Sequence, residues 1–181
     1  MIVIIIAIVV LILDQLSKVW VVNTLKTAKD IPLINGVLHF HYAENTGSAF
    51  SMMKDVKWYP IFVAIVAVIV AIFAIVYVFT RKYKMHWLET LSIGLVIGGA
   101  IGNQIDRLRL GYVLDFIYFK LINFAIFNVA DSALVVGALL LAFYIMVVHD
   151  KHMTKLKPEK EGEADENHQE PKQIEDAKAD S

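Results

Sequence analysis

Six polar residues gather in the stretch 98–131, where the chain leaves one apolar segment and enters another: Asn103, Asp106, Arg107, Asp115, Asn128 and Asp131. Acids and amides at the margin of hydrocarbon are costly and mark functional sites. Two carboxylates held within reach of one water share a proton, because both cannot ionise cheaply. One then acts as base toward the water and the other as acid toward a scissile carbonyl. Low dielectric raises carboxyl pKa values and separates the two titrations. Asp131 lies inside an apolar segment and is one candidate; spacing alone leaves either Asp115 or Asp106 as its partner. Asn103 stands three residues before Asp106, and Asn128 three before Asp131. Each amide then shares a helical face with its acid, placed to orient a carboxylate or hold a substrate carbonyl.

The elements that must position these groups are apolar runs. Hydrophobic residues make up 57% of the chain, above the roughly 45–50% of soluble domains, and the excess lies in long runs, which predicts an all-α polytopic membrane protein. Four spans are expected, at about 1–22, 58–80, 88–106 and 124–148. The first lacks the basic start and small-residue cleavage site of a signal peptide, so it reads as a retained span. Asp14 and Lys18 interrupt it four residues apart on one helical face. They form either a self-neutralising pair at the membrane surface or a pair reaching toward a polar site. Trp58 and Tyr59 mark one interface of the second span, and Tyr77, Tyr83 and Trp87 the other. In the third span Gly94, Gly98 and Gly102 recur every four residues, a spacing that lets another helix backbone approach closely.

Residues 23–57 form a polar loop too long for a simple connector. A short strand is expected over 37–42, followed by a turn over 44–48; the apolar residues 49–53 are placed to lie on the membrane. Residues 107–123 form the second polar connection. From Pro158 onward the chain is rich in Glu, Lys, Asp and Gln without aromatics, which predicts a disordered tail. The domain reading is therefore a four-helix membrane domain over 1–150 and a polar tail over 151–181. Arg81, Lys82 and Lys84, with Lys151, Lys155 and Lys157, place the 81–84 loop, the tail and both termini in the cytoplasm. Lys26, Lys29, Lys54 and Lys57 in the first loop pull the other way. In this orientation Asp14, Asp106, Asp115 and Asp131 converge on the outer edge.

The net charge of -1 gives no argument for nucleic acid, and the absence of cysteine excludes disulfides, thiolate metal sites and a cysteine nucleophile. His39 and His41 with Glu44 raise the alternative of a zinc site, but a surface strand accounts for them without an HExxH helix. Ser48 lacks the G-x-S-x-G turn of a serine nucleophile. His86, His149 and His152 fall at cytoplasmic span ends, where interfacial solvation explains them. No glycine-rich phosphate loop follows a strand.

Four blocks carry a resemblance. They are Asp14-Gln15-Leu16-Ser17-Lys18; Asn45-Thr46-Gly47-Ser48-Ala49-Phe50-Ser51; Gly98-Gly99-Ala100-Ile101-Gly102-Asn103-Gln104-Ile105-Asp106-Arg107, continuing through Gly111-Tyr112-Val113-Leu114-Asp115-Phe116; and Phe127-Asn128-Val129-Ala130-Asp131-Ser132. In this order they resemble lipoprotein signal peptidase (signal peptidase II), the membrane aspartic endopeptidase of bacteria. Two positions depart from its pattern: Ala125, where a proline commonly stands, and Ser48, where alanine is usual. Both bear on loop rigidity.

The resemblance implies a peptidase that needs no metal or other cofactor and cuts diacylglyceryl-modified prolipoproteins just before the lipidated cysteine. It places the catalytic pair on Asp115 and Asp131, with Asp14, Lys18, Asn45, Gly47, Asn103, Asp106, Arg107, Asn128 and Ala130 shaping or supporting the site. It further implies a small sheet in the outer loop, sensitivity to globomycin-type peptide inhibitors, contact with membrane lipid, and a multi-pass monomer of the bacterial cytoplasmic membrane. A small proton-coupled transporter, in which the acids form a relay, is the main rival from another class. A zinc peptidase on His39, His41 and Glu44 and a non-enzymatic assembly factor are the others.

Overall fold

The computed structural model describes residues 1–28, 30–46, 59–81 and 83–154. The expected turn at Gly47 and Ser48, the apolar segment 49–53, Trp58 and the tail from Lys155 lie outside them. The chain divides into two units, Met1–Leu141 and Ala142–Ser181.

In the first unit, helix α1 (Ile2–Ala28) buries Val3, Ala7, Val10, Asp14, Lys18, Val21 and Leu25. These recur every three or four residues, so they form one stripe. Up to Val22 the remaining surface is mostly exposed Ile, Leu and Val. That pattern suits a helix with protein on one side and lipid on the other. Nothing breaks the helix at residue 22, where the apolar run ends. It continues two turns further because Val21 and Leu25 pack with Leu114 and Phe116 in a second core.

Helix α2 (Tyr59–Thr80) and helix α3 (Trp87–Leu110) follow. α3 is the most buried of these helices. A Cβ on Gly98 would meet the Ala7 carbonyl oxygen at 2.7 Å, and one on Gly94 the Ile6 side chain at 2.7 Å. The four-residue glycine spacing therefore does what it predicts: it seats α3 against α1. Gly99, on another face, lies against the Ala130 carbonyl and Leu134. At the other end of the bundle the Tyr77 hydroxyl donates to Glu89 at 2.6 Å, Arg81 forms an ion pair with the same carboxylate, and its guanidinium lies 4.0 Å from the Tyr83 ring centroid.

α3 ends at Leu110 rather than near 106. Gly111 is the first residue able to take the left-handed stop, with φ 82°, and its N–H donates to the Arg107 carbonyl at 3.1 Å. Helix α4 (Val129–Phe143) starts later than the apolar pattern suggests. Residues 124–127 are held beside the sheet instead, where Phe127 exchanges backbone hydrogen bonds with Ile117 at 2.8 and 3.1 Å.

Strands β1 (Asp30–Ile34), β2 (Leu38–Asn45) and β3 (Val113–Phe119) form an antiparallel sheet in the order β1-β2-β3. The strand expected over 37–42 is thus longer, and Glu44 and Asn45, expected in a turn, are strand residues. A register shift between Phe40 and Ala43 sets Ala43 opposite Asp115. The connection 107–123 is largely α3 and β3, not irregular loop. Phe40 lies between Trp20 of α1 and Phe116, with ring centroids 5.3 and 5.8 Å away, and this fixes the sheet against α1.

Among the described residues three helices are long and apolar enough to cross a membrane: Ile2–Ala28, Trp87–Leu110 and Val129–Thr154. The apolar stretch Ala64–Thr80 in α2 is shorter. In the second unit the described residues are helical to Thr154 with a π-helical turn at Tyr144–Val148. Residues 151–154, assigned to the tail from their composition, therefore continue a helix.

Candidate active site

The site is built around a buried lysine. Lys18 Nζ donates to Asp14 Oδ2 at 2.8 Å and to Asn103 Oδ1 at 3.3 Å, and pairs with Asp106 Oδ2 at 2.8 Å. All three ammonium protons thus find acceptors, which a buried cation requires. The Asp14–Lys18 spacing is accordingly a pair reaching into a polar site.

Each acid on Lys18 uses its remaining acceptor capacity to hold another element. Asp14 Oδ1 accepts the Ala130 N–H at 3.1 Å, at the start of α4. Asp106 Oδ2 accepts the Leu114 N–H at 3.1 Å, next to Asp115 in β3. Gln15 Nε2 donates to Asp14 Oδ2 at 3.1 Å and Asp106 Oδ1 at 3.2 Å, and lies 3.4 Å from the Gly102 carbonyl oxygen. Gln15 was absent from the expected site residues. Its signal was available, since an amide within an apolar span needs a partner.

Asn128 and Asp131 form a reciprocal cap on α4. The Asp131 N–H donates to Asn128 Oδ1 at 2.9 Å, and the Asn128 N–H donates to Asp131 Oδ2 at 3.1 Å. This is a capping box with Asp in the third helical position. The three-residue spacing, read as one helical face, is a helix start. Asn103 likewise does not serve Asp106; its Nδ2 donates across to Asp131 Oδ1 at 2.7 Å.

Asp115 is 2% exposed. Asn45 Nδ2 donates to its Oδ2 at 2.8 Å, and Asn128 Nδ2 to its Oδ1 at 2.7 Å. Burial, and then the nearby Asp131 carboxylate, push Asp115 up to about 7, against the pull of the Asn45 and Asn128 hydrogen bonds and the Lys18 charge. Asn128 Nδ2 also meets Asn103 Oδ1 at 3.0 Å, so the two amides join into one chain between the two acids. Arg107 is half-buried and lies within electrostatic reach of Asp131, Asp115 and Asp106. Ala130 is fully buried, and a Cβ on Gly102 would stand 3.3 Å from its Cβ.

Of the expected site residues, Asp14, Lys18, Asn45, Asn103, Asp106, Asp115, Asn128, Ala130 and Asp131 thus meet in one network, Arg107 adjoins it, and Gly47 lies outside the described residues. His39 and His41 do not join it. Both turn to Asp30, with His39 Nδ1 2.9 Å and His41 Nδ1 3.5 Å from its carboxylate, and their ring contacts hold the Asp30 carboxyl below its ordinary range. Among the described residues no group of three or more His, Cys, Asp or Glu side chains is arranged to hold a metal ion.

Residues 6–147 match the family described as signal peptidase (SPase) II. The chain is similar to the lipoprotein signal peptidase of Clostridioides difficile (strain 630), with 44% identity over 139 residues covering 77% of this chain and 90% of that one. It is 43% identical over 138 residues to the lipoprotein signal peptidase of Streptococcus pyogenes serotype M5 (strain Manfredo), covering 76% and 88%. Its fold is similar to that of a bacterial membrane enzyme solved by the in meso method at 1.9 Å resolution, with a TM-score of 0.68, 32% identity, and coverage of 81% of this chain and 93% of that one. The family match and the similarity over most of both chains agree with the resemblance carried by the four sequence blocks: the chain belongs to the signal peptidase II family of membrane proteases.

Proposed function

We propose that this protein is an aspartic endopeptidase that removes the signal peptide of diacylglyceryl-modified prolipoproteins by cutting just before the lipidated cysteine. Asp115 and Asp131 are the catalytic pair. The observation that carries the assignment is Asn128, which donates to Asp115 through its side chain and to Asp131 through its backbone. One residue thereby sets both carboxylates around a common space. Asp106, the other candidate on spacing, is occupied by Lys18, Gln15 and the Leu114 N–H, which suits a structural acid.

The two carboxylates divide the work. Asp115, with its pKa pushed up to about 7, carries the proton and donates it to the scissile carbonyl oxygen. Ionised Asp131 takes a proton from a water, whose oxygen adds to the carbonyl carbon. The resulting gem-diol collapses as Asp131 returns its proton to the leaving amide nitrogen and Asp115 recovers its own. Arg107 binds substrate beside the pair, while Asn45, Asn103 and Asn128 orient the acids. No metal enters this cycle. A transporter relay is not favoured, because the acids are locked into one hydrogen-bonded network rather than spaced along a path.

In the membrane the catalytic domain is residues 1–150 with α2 as a fourth span, both termini and the tail over 151–181 are cytoplasmic, and the site opens at the outer face of the bacterial membrane. The unit is a monomer, and globomycin-type peptides compete for the same space. Cleavage of a diacylglyceryl-modified prolipoprotein by the purified protein, Asp115→Asn and Asp131→Asn, each with and without chelator, tests the assignment. Chelator-resistant cleavage lost in both variants is expected. Activity retained in Asp115→Asn would move the pair to Asp106 and Asp131. Chelator-sensitive cleavage would revive the zinc reading.

A further inference from the structure

One end of the sheet is strongly apolar and open. Leu33, Ile34, Phe119, Leu121, Ile122 and Phe124 are all exposed, from 39% at Phe119 to 70% at Leu121. They are neighbours in the fold. Ile34 pairs with Leu38, and Leu38 with Phe119, so a cross-strand row forms at the hairpin end. The Leu121 N–H points to the Val37 carbonyl at 3.5 Å, and the Phe124 N–H donates to the Phe119 carbonyl at 3.1 Å. Those contacts draw the 3-10 turn Lys120–Ile122 and Phe124 to the same end. Proteins rarely leave such a contiguous patch to water, and the site's chemistry makes no use of it.

We propose that this end of the sheet is an interfacial anchor, seated at the boundary of acyl chains and headgroups in the leaflet on the side of the candidate active site. Its occupant is lipid because the patch continues the apolar surface of α1. Phe40, whose register partners are Ile31 and Ile117, meets Trp20 edge to face. Trp20 is 44% exposed and follows the exposed Leu16 and Val19 on a candidate span, and tryptophan favours the membrane interface. The 27 residues of α1 reach about 40 Å at 1.5 Å per residue, against about 30 Å of hydrocarbon. Its last turns, and the sheet packed on them, therefore stand at headgroup level. Lys26 in the last turn of α1 and Lys120 beside Leu121 are both exposed, and their ammonium groups can reach lipid phosphates while their stems lie along apolar surface. The anchor fixes the height of β3, and with it Asp115, relative to the bilayer.

The chain has no cysteine, so single cysteines can be introduced cleanly. Nitroxide labels at Leu121→Cys and Ile122→Cys, in full-length protein reconstituted in phosphatidylethanolamine–phosphatidylglycerol vesicles, report local access to oxygen and to a water-soluble nickel chelate. Leu13→Cys on α1 is the lipid reference and Glu44→Cys the water reference; both positions are exposed. The oxygen-to-nickel access ratio at 121 and 122 is expected several-fold above that at 44 and toward that at 13. A ratio equal to that at 44 would overturn the anchor. Spin–spin broadening at 121 or 122 would overturn it in favour of a second copy of this chain covering the patch. Neither readout depends on the proposed peptidase activity.

Discussion

Asn128 and Asp131 cap each other: each backbone N–H is bonded to the other's side-chain oxygen, at 3.1 and 2.9 Å. A carboxylate proposed for catalysis is therefore also part of a helix start. The Asn128 amide that remains points at Asp115, so helix capping and carboxylate alignment share one residue.

Replacing that residue separates the two tasks. Asn128→Ser keeps a capping oxygen but loses the amide donor; Asn128→Ala loses both. Asp115 is neutral in the proposed mechanism, and a hydrogen bond between neutral groups is worth about 0.5–1.5 kcal/mol, so both variants should lose roughly 2- to 10-fold in kcat. Only Asn128→Ala should also lose about 1 kcal/mol of stability. Prolipoprotein cleavage rates and thermal unfolding in detergent measure the two. Wild-type kcat in Asn128→Ser would remove the amide from the mechanism.

Lys18 neutralises acids from α1 and α3. Lys18→Met leaves Asp14 and Asp106 buried without their cation, a loss of about 3–5 kcal/mol for a broken buried pair. Little folded protein is expected. Adding Asp106→Asn removes one of the orphaned charges and should restore part of the yield, as gel filtration of the purified variants would reveal. No recovery in the double variant would mean that the lysine stem, not its charge, is what the site needs.

The raised Asp115 has two pH signatures. The proposed mechanism requires its proton, so kcat/KM should fall about tenfold per pH unit once the pH rises past about 7. Stability follows the same sign. The folded state holds this proton up to about 7 and an ordinary aspartate releases it near 3.8. Any stabilisation tied to the proton is complete at acid pH and drains away between those values, by at most about 4 kcal/mol. The unfolding temperature should decline from pH 4 to 7, and this part of the slope should vanish in Asp115→Asn.

Gly102 has no room for a side chain. A Cβ there would stand 2.7 Å from Asp14 Oδ2, the carboxylate that receives Lys18 and Gln15 and holds Ala130. Gly102→Ala should displace that carboxylate and cost about 1–3 kcal/mol through overpacking, with cleavage falling alongside the unfolding temperature. Unchanged activity would show that Asp14 can shift without disturbing α4.

Sequence patterns disclosed some of this geometry and hid the rest for identifiable reasons. The Gly94–Gly98–Gly102 spacing is a property of one helix face and predicts close packing without reference to a partner. The acids announced themselves by their position against hydrocarbon. Asp115 and Asp106 could not be separated by spacing, because the distinction lies in what each accepts from other elements. β3 was concealed since burial of Asp115 breaks the alternation that marks a strand. β1 lay within a stretch read only as polar loop; it carries Pro32, which an edge strand tolerates because it lacks one neighbour. Helix ends moved wherever a cap, not hydropathy, set the boundary: Gly111 after α3, Asn128 before α4.

The bond from the Ala130 N–H to Asp14 Oδ1 joins residues 116 positions apart, and that separation bears on the order of synthesis. Asp14 emerges with the first helix and meets its last partner only when the final helix arrives. Until then Lys18, one turn away, is its companion, so the segment can enter the bilayer as a neutral pair. Later helices then recruit that pair rather than creating a new one. With the proposed catalytic Asp131 also carried on α4, a ribosome-bound intermediate ending before Asn128 should not cleave substrate.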